Sequence, residues 1–197
     1  MNYKIIIHKE NVMKYKLRET ATDSEAEFPT EVEITEKDGR ITFSFTCEGS
    51  KHFCPYKGEY NRLHCDGDVC EVFIGSDPER KEYYEMELSP NNDLMLAKIR
   101  YNGDDEDGVP ILDIGYVDEC FVKTEATVTE NGYVCSLTFD LKDVMTGAGE
   151  IFFNCYRIET QGGTPNRRLF ALSPTMRRRF HTPKYYVQLN DYIGEKK

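Results

Sequence analysis

A chain of 197 residues with 39% hydrophobic and 12% aromatic residues, 13 Tyr and 11 Phe, can bury a sizeable core, which excludes disorder over most of its length. Its formal net charge of −10 is spread over the sequence, favouring solubility and disfavouring phosphate-rich partners, so nucleic acid is not an expected partner. The two basic spots, Arg167-Arg168 and Arg177-Arg178-Arg179, lack the broad basic face that nucleic-acid binding needs, and no apolar stretch reaches membrane-spanning length.

The chain begins Met1-Asn2-Tyr3-Lys4-Ile5-Ile6-Ile7-His8-Lys9, an apolar run too short for a signal peptide and followed at once by charge, so the expected location is cytoplasmic. Short runs of alternating apolar and polar residues predict strands at Tyr3 to His8, Ile41 to Cys47, Val69 to Ile74, Tyr83 to Leu88 and Leu94 to Tyr101. Further runs follow at Phe121 to Thr129, Tyr133 to Leu141, Ile151 to Ile158 and Tyr185 to Leu189. Turn signals stand between them, the clearest being Asn131-Gly132, where both residues tolerate the positive φ of a tight hairpin. Helix signals are confined to Ser24 to Val32 and Asp143 to Met145. Strands without alternating long helices predict an all-β fold, an antiparallel β-sandwich of about nine to eleven strands, jelly-roll or immunoglobulin-like. With no Pro- or Gly-rich linker, residues 1–197 read as a single domain.

Seven cysteines, Cys47, Cys54, Cys65, Cys70, Cys120, Cys135 and Cys155, form no CxxC pair, and most read as buried thiols in a reducing compartment. No nucleophile elbow, phosphate-cradling glycine loop or His-Glu-x-x-His pair occurs, so no catalytic residue is assigned. The acidic loop Asn102-Gly103-Asp104-Asp105-Glu106-Asp107-Gly108 has the oxygen density to hold calcium but not the spacing of an EF-hand loop; Asp66 and Asp68 form a second such pair.

The segment Asp68-Val69-Cys70-Glu71-Val72-Phe73-Ile74, followed by Tyr83-Tyr84-Glu85-Met86-Glu87-Leu88-Ser89-Pro90-Asn91, resembles the central hairpin of family 9 carbohydrate-binding modules. Phe153-Asn154-Cys155-Tyr156-Arg157-Ile158-Glu159, Leu172-Ser173-Pro174-Thr175 and Phe180-His181-Thr182-Pro183 look like that family's closing strands, in the right order. The resemblance frames roughly residues 63 to 190. It implies a β-sandwich with no catalytic activity of its own that holds a mono- or oligosaccharide and commonly carries a structural calcium; a catalytic domain or partner enzyme is a further candidate partner that the sequence leaves open.

Within that frame, Val69, Glu71 and Phe73 point to one side of their strand and Cys70, Val72 and Ile74 to the other. A lone carboxylate in such a strand needs a partner: Glu71 either accepts hydrogen bonds from sugar hydroxyls or pairs internally with an arginine such as Arg157. On the next strand Tyr84, Met86 and Leu88 read as core, leaving Tyr83, Glu85 and Glu87 opposite. The expected carbohydrate contacts are Glu71, Arg157 and Glu87, with His64 and Tyr60 supplying part of the apolar wall and Tyr56 nearby.

The chain contains no tryptophan, whereas the family usually clamps the sugar between two. Cys65 and Leu172 stand at the matching positions. Hence the alternative expectation, a structural or protein-interaction sandwich that has lost its sugar site.

Overall fold

The computed structural model describes residues 13–49, 52–58, 60–163 and 167–193; the strand expected at Tyr3 to His8 lies outside them. The chain lays down β1 (Met13–Lys16), β2 (Arg18–Glu19), β3 (Thr30–Lys37) and β4 (Arg40–Glu48), then a helical turn, α1 (Leu63–Asp66). A meander follows: β5 (Val69–Gly75), β6 (Glu82–Leu88), β7 (Leu94–Asp104) and β8 (Pro110–Tyr116). The hairpin β9 (Lys123–Thr129) and β10 (Gly132–Asp140) precedes β11 (Phe152–Glu159), β12 (Arg168–Ala171), β13 (Val187–Gln188) and α2 (Asn190–Ile193).

These strands make two antiparallel sheets. The smaller runs β1-β3-β4-β10-β9; the larger runs β2-β12-β11-β5-β6-β7-β8, with β13 beside one end of β11. Val32, Ile34, Phe43, Phe45, Leu137 and Phe139 from the smaller sheet meet Val72, Ile74, Met86, Leu88 and Phe153 from the larger, forming the core between them. The fold is thus the expected antiparallel β-sandwich.

A second core lies on the outer face of the larger sheet. Phe73, Tyr83, Ile99, Phe152 and Tyr156 point away from the sandwich and are covered by Phe180 and Tyr186 from the segment after β12. Every residue of β5 is therefore buried, because it has hydrophobic cover on both faces. Phe73 is central to this layer, with ring centroids 5.0 Å from Tyr156, 5.6 Å from Tyr83 and 6.1 Å from Tyr186.

Several local expectations change. Ser24 to Val32 is not a helix: Thr30, Val32 and Ile34 are buried at period two while the glutamates between them face outward, which is the pattern of β3. In the 143 to 145 region a single 3-10 turn spans Leu141–Val144. The β3–β4 hairpin turns on Asp38 and Gly39, both at positive φ (55° and 79°). In the β9–β10 hairpin the two loop residues are Glu130 and Asn131, and Gly132 already pairs with Thr129. Gly132 is required for a different reason: at φ 146°, a Cβ there would lie 1.9 Å from the carbonyl oxygen of Cys47. The strands β1, β2, β8 and β12 were not foreseen, and of the run 185 to 189 only Val187–Gln188 pairs.

Candidate ligand-binding cleft

Strand register brings three carboxylates together on the outer face of the larger sheet. Glu71 of β5 stands directly opposite Glu87 of β6, and Glu85, two residues earlier on β6, projects from the same side. All three are almost fully buried, with 1%, 6% and 1% exposure for Glu71, Glu85 and Glu87. One oxygen from each lies within 4.8 Å of the others. Met95, opposite Glu87, continues the surface across β7, and Tyr116 and Ile114 of β8 form its far wall. Arg167, Leu169 and the Arg178 to His181 segment close the near side, and the cleft encloses about 320 Å³.

The electrostatics follow from this crowding. Burial, then the charges of Glu87 and Glu85, push the Glu71 carboxyl well above the usual range, with Arg167 acting the other way. Glu85 is raised by burial and by Glu87. The Nδ1 of His64 sits 2.8 Å from Glu87 Oε1, and the His64 backbone N–H donates to Glu87 Oε2 at 3.2 Å. The Glu87 contact raises the His64 pKa against the effect of burial. His181 behaves oppositely: burial, then His64, lowers it to about 4. Its Nδ1 lies 2.8 Å from the Tyr83 hydroxyl, and its Nε2 lies 3.8 Å from Glu85.

Three carboxyl groups held so closely oppose folding, because burial and the neighbouring carboxyls penalise ionising Glu71 and Glu85. Glu71→Gln keeps the shape, removes one group from this competition and supplies an amide that can donate to a neighbouring carboxylate. It should raise stability near neutral pH by about 0.5–2 kcal/mol. Urea unfolding in the presence of chelator checks this, and a lowered midpoint would refute it.

Of the residues predicted from sequence, Glu71, Glu87 and His64 converge on the cleft. Arg157 does not. It lies opposite Cys70, on the side of β11 that faces between the sheets, and is fully buried there. Its guanidinium pairs with Glu159 and donates to Thr30 Oγ1 (2.8 Å) and to the carbonyl of Glu48 (2.9 Å), so it is a structural cation and no ligand contact. Tyr60 is 52% exposed in the 3-10 turn Tyr60–Arg62, outside the cleft lining. The Tyr56 hydroxyl is committed to Asp66. Cys65 is exposed, and Leu172 packs at the margin of the inter-sheet core; neither lines the cleft.

Among the described residues, neither acidic segment with the oxygen density for calcium brings three ligand atoms within reach of one another. Asp104 is engaged by Arg177 and Arg179, and Asp105 accepts the backbone N–H groups of Asp107 and Val109. Asp68 accepts from Phe53, from the backbone of Thr160 and from its hydroxyl. Sequence reasoning passed over Glu85, although its spacing from Glu87 places both on one face. It also passed over Tyr116, Arg167 and His181, which only the fold brings near Glu71.

No protein-family model matches the chain, and no curated protein matches it. A crystal structure of a Bacteroides uniformis protein, provisionally described as carbohydrate-binding, is similar over 90% of this chain and 84% of its own, at 12% identity and a TM-score of 0.65. The two share a fold. Two structures of a family 9 carbohydrate-binding module from Caldicellulosiruptor kristjanssonii, in complex with cellotriose and with glucose, are also similar. Their identities are 11% and 12%, over 81% and 80% of this chain and 72% and 74% of theirs, with TM-scores of 0.49 and 0.46. The fold shared with the Bacteroides protein is the β-sandwich that the sequence resemblance implied.

Proposed function

We propose that this domain binds a mono- or oligosaccharide in the cleft above Glu71 and Glu87 and performs no chemistry on it. The observation that carries this reading is the unpaired Glu71. Its Oε1 has no hydrogen-bond partner among the described residues, although the residue is buried and opens onto a cleft. A sandwich that had lost its ligand would have filled this face or paired Glu71 with Arg157. Carboxylates facing a cleft suit vicinal hydroxyls, each of which donates a hydrogen bond. The volume, near the lower end of ligand pockets, suits about one sugar ring.

Tyr116 supplies what the missing tryptophans would. It is 55% exposed on the wall of the cleft, and a ring covering roughly 50–80 Å² of ligand contributes on the order of 1–2 kcal/mol. Tyr116→Ala should therefore weaken sugar binding roughly tenfold while leaving the unfolding midpoint unchanged. The arrangement also speaks against glycoside hydrolysis, since that chemistry needs two carboxyl groups flanking the scissile bond. Here all three project from adjacent positions on the floor of the cleft.

Calorimetric titration with a panel of mono- and oligosaccharides tests the proposal. Saturable binding that Glu71→Ala abolishes is expected; no heat from any sugar at millimolar concentration would overturn it.

A further inference from the structure

We propose that Glu71, Glu85 and Glu87 bind a hard divalent cation, calcium in preference to magnesium, at the floor of the cleft. The donors are all carboxylate oxygens, which select hard cations over zinc or copper. Coordination demands decide between the two hard ions. Calcium, at about 2.3–2.6 Å, accepts irregular sets of protein carboxylates, whereas magnesium, at about 2.0–2.1 Å, demands a near-octahedral shell and usually keeps several waters. Oxygens of all three glutamates lie within 4.8 Å of one another and can share one ion, and a set of three side-chain carboxylates suits calcium better.

The second observation is independent of the clustering. Buried carboxylate oxygens in folded proteins are hydrogen-bonded almost without exception, because leaving one bare forfeits its hydration. Glu71 Oε1 is buried and accepts no hydrogen bond from any described residue. Nearby cations do not balance the site. His64 faces Glu87, Arg167 acts on Glu71 while its own Nη1 donates to the His64 carbonyl, and His181 stands beyond hydrogen-bond distance of Glu85. Arg178 and Arg179 also border the cleft but are engaged elsewhere, by the Arg167 carbonyl and by Asp104. The three carboxyl groups thus outnumber the cations in contact with them, and a divalent ion would help to balance the site. Calcium takes six to eight oxygens. The positions the glutamates leave open face the cleft, where water or ligand hydroxyls can fill them.

The test uses full-length protein stripped with chelator and titrated calorimetrically with calcium alone, and separately with magnesium alone, in sugar-free buffer. One calcium per chain is expected, accompanied by a higher thermal midpoint, with magnesium binding more weakly. Glu85→Gln should weaken calcium at least tenfold, whereas Asp107→Asn, in the exposed acidic loop, should leave it unchanged. If Glu85→Gln does not fold, Glu85→Asp, which keeps the charge but withdraws the oxygen, should give the same loss. No calcium binding at millimolar concentration, or binding that survives both Glu85 variants, overturns the proposal. The carbohydrate reading fails separately: calcium binding without any sugar binding refutes that reading alone, and sugar binding in chelator without calcium binding refutes this one alone.

Discussion

Replacing Arg157 by alanine is expected to destabilise the fold by about 3–5 kcal/mol, the usual consequence of removing one partner of a buried ion pair. The guanidinium is fully buried, and its loss would leave the Glu159 carboxylate, itself 2% exposed, without its cation. The carbonyl of Glu48 and the hydroxyl of Thr30 would lose a donor, and Tyr133 would lose the cation over its ring, 5.4 Å from the centroid. Packing adds to the loss: a Cβ on Gly49 would already lie 3.1 Å from Arg157 Nη2, so the chain closes tightly around the group. Urea unfolding measures the effect, and sugar titration of the folded fraction separates it from function. A variant that keeps its unfolding midpoint but loses sugar would show that Arg157 is a ligand contact after all. Replacing Arg157 and Glu159 together by apolar residues should recover much of the loss, because no unpaired charge then remains.

Phe73→Ala should have an effect of similar size, about 3–5 kcal/mol, through the cavity it leaves. Phe73 lies on the same side of β5 as Glu71, and its ring meets Tyr83, Tyr156, Phe180, His181 and Tyr186. These groups cannot all collapse into the space, since they come from different strands and from the covering segment. The same variant should also weaken ligand binding, because His181 and Phe180 border the cleft. Phe73→Leu, which retains most of the volume, should cost less in stability and leave affinity nearly intact. Equal unfolding midpoints for the alanine variant and the parent protein would contradict the aromatic layer as described.

The part of the cleft that was legible in the sequence is the part governed by a single strand. Alternation is rigid within a strand, so placing Glu71 with Phe73, and Glu85 with Glu87, on shared faces required no knowledge of neighbours. Arg157 was misplaced because its role depends on register. Which face of β11 meets the inter-sheet core follows from Arg157 standing opposite Cys70, and a slip of one residue would reverse it. Nothing local fixes that choice. Tyr116 and Arg167 were invisible for a related reason: β8 joins the sheet only through β7, and Arg167 reaches the cleft only once β12 has docked on β11. The absence of tryptophan was informative about composition but misleading about position, since the exposed ring on the cleft comes from β8 and not from the positions of Cys65 or Leu172.

The strand order also constrains how the chain can assemble. Pairings such as β3 with β4, β5 with β6, and β9 with β10 join neighbours in sequence, but β4 must wait for β10 and β5 for β11. Each of those closures spans most of a hundred residues, and contacts of such separation are paid for in loop entropy before they return any burial. During synthesis the first half of the molecule therefore carries two unsatisfied strand edges, one in each future sheet, until β10 and β11 emerge. The floor of the cleft, built on β5 and β6, exists early as a hairpin, but its burial is a late event that depends on the last third of the chain.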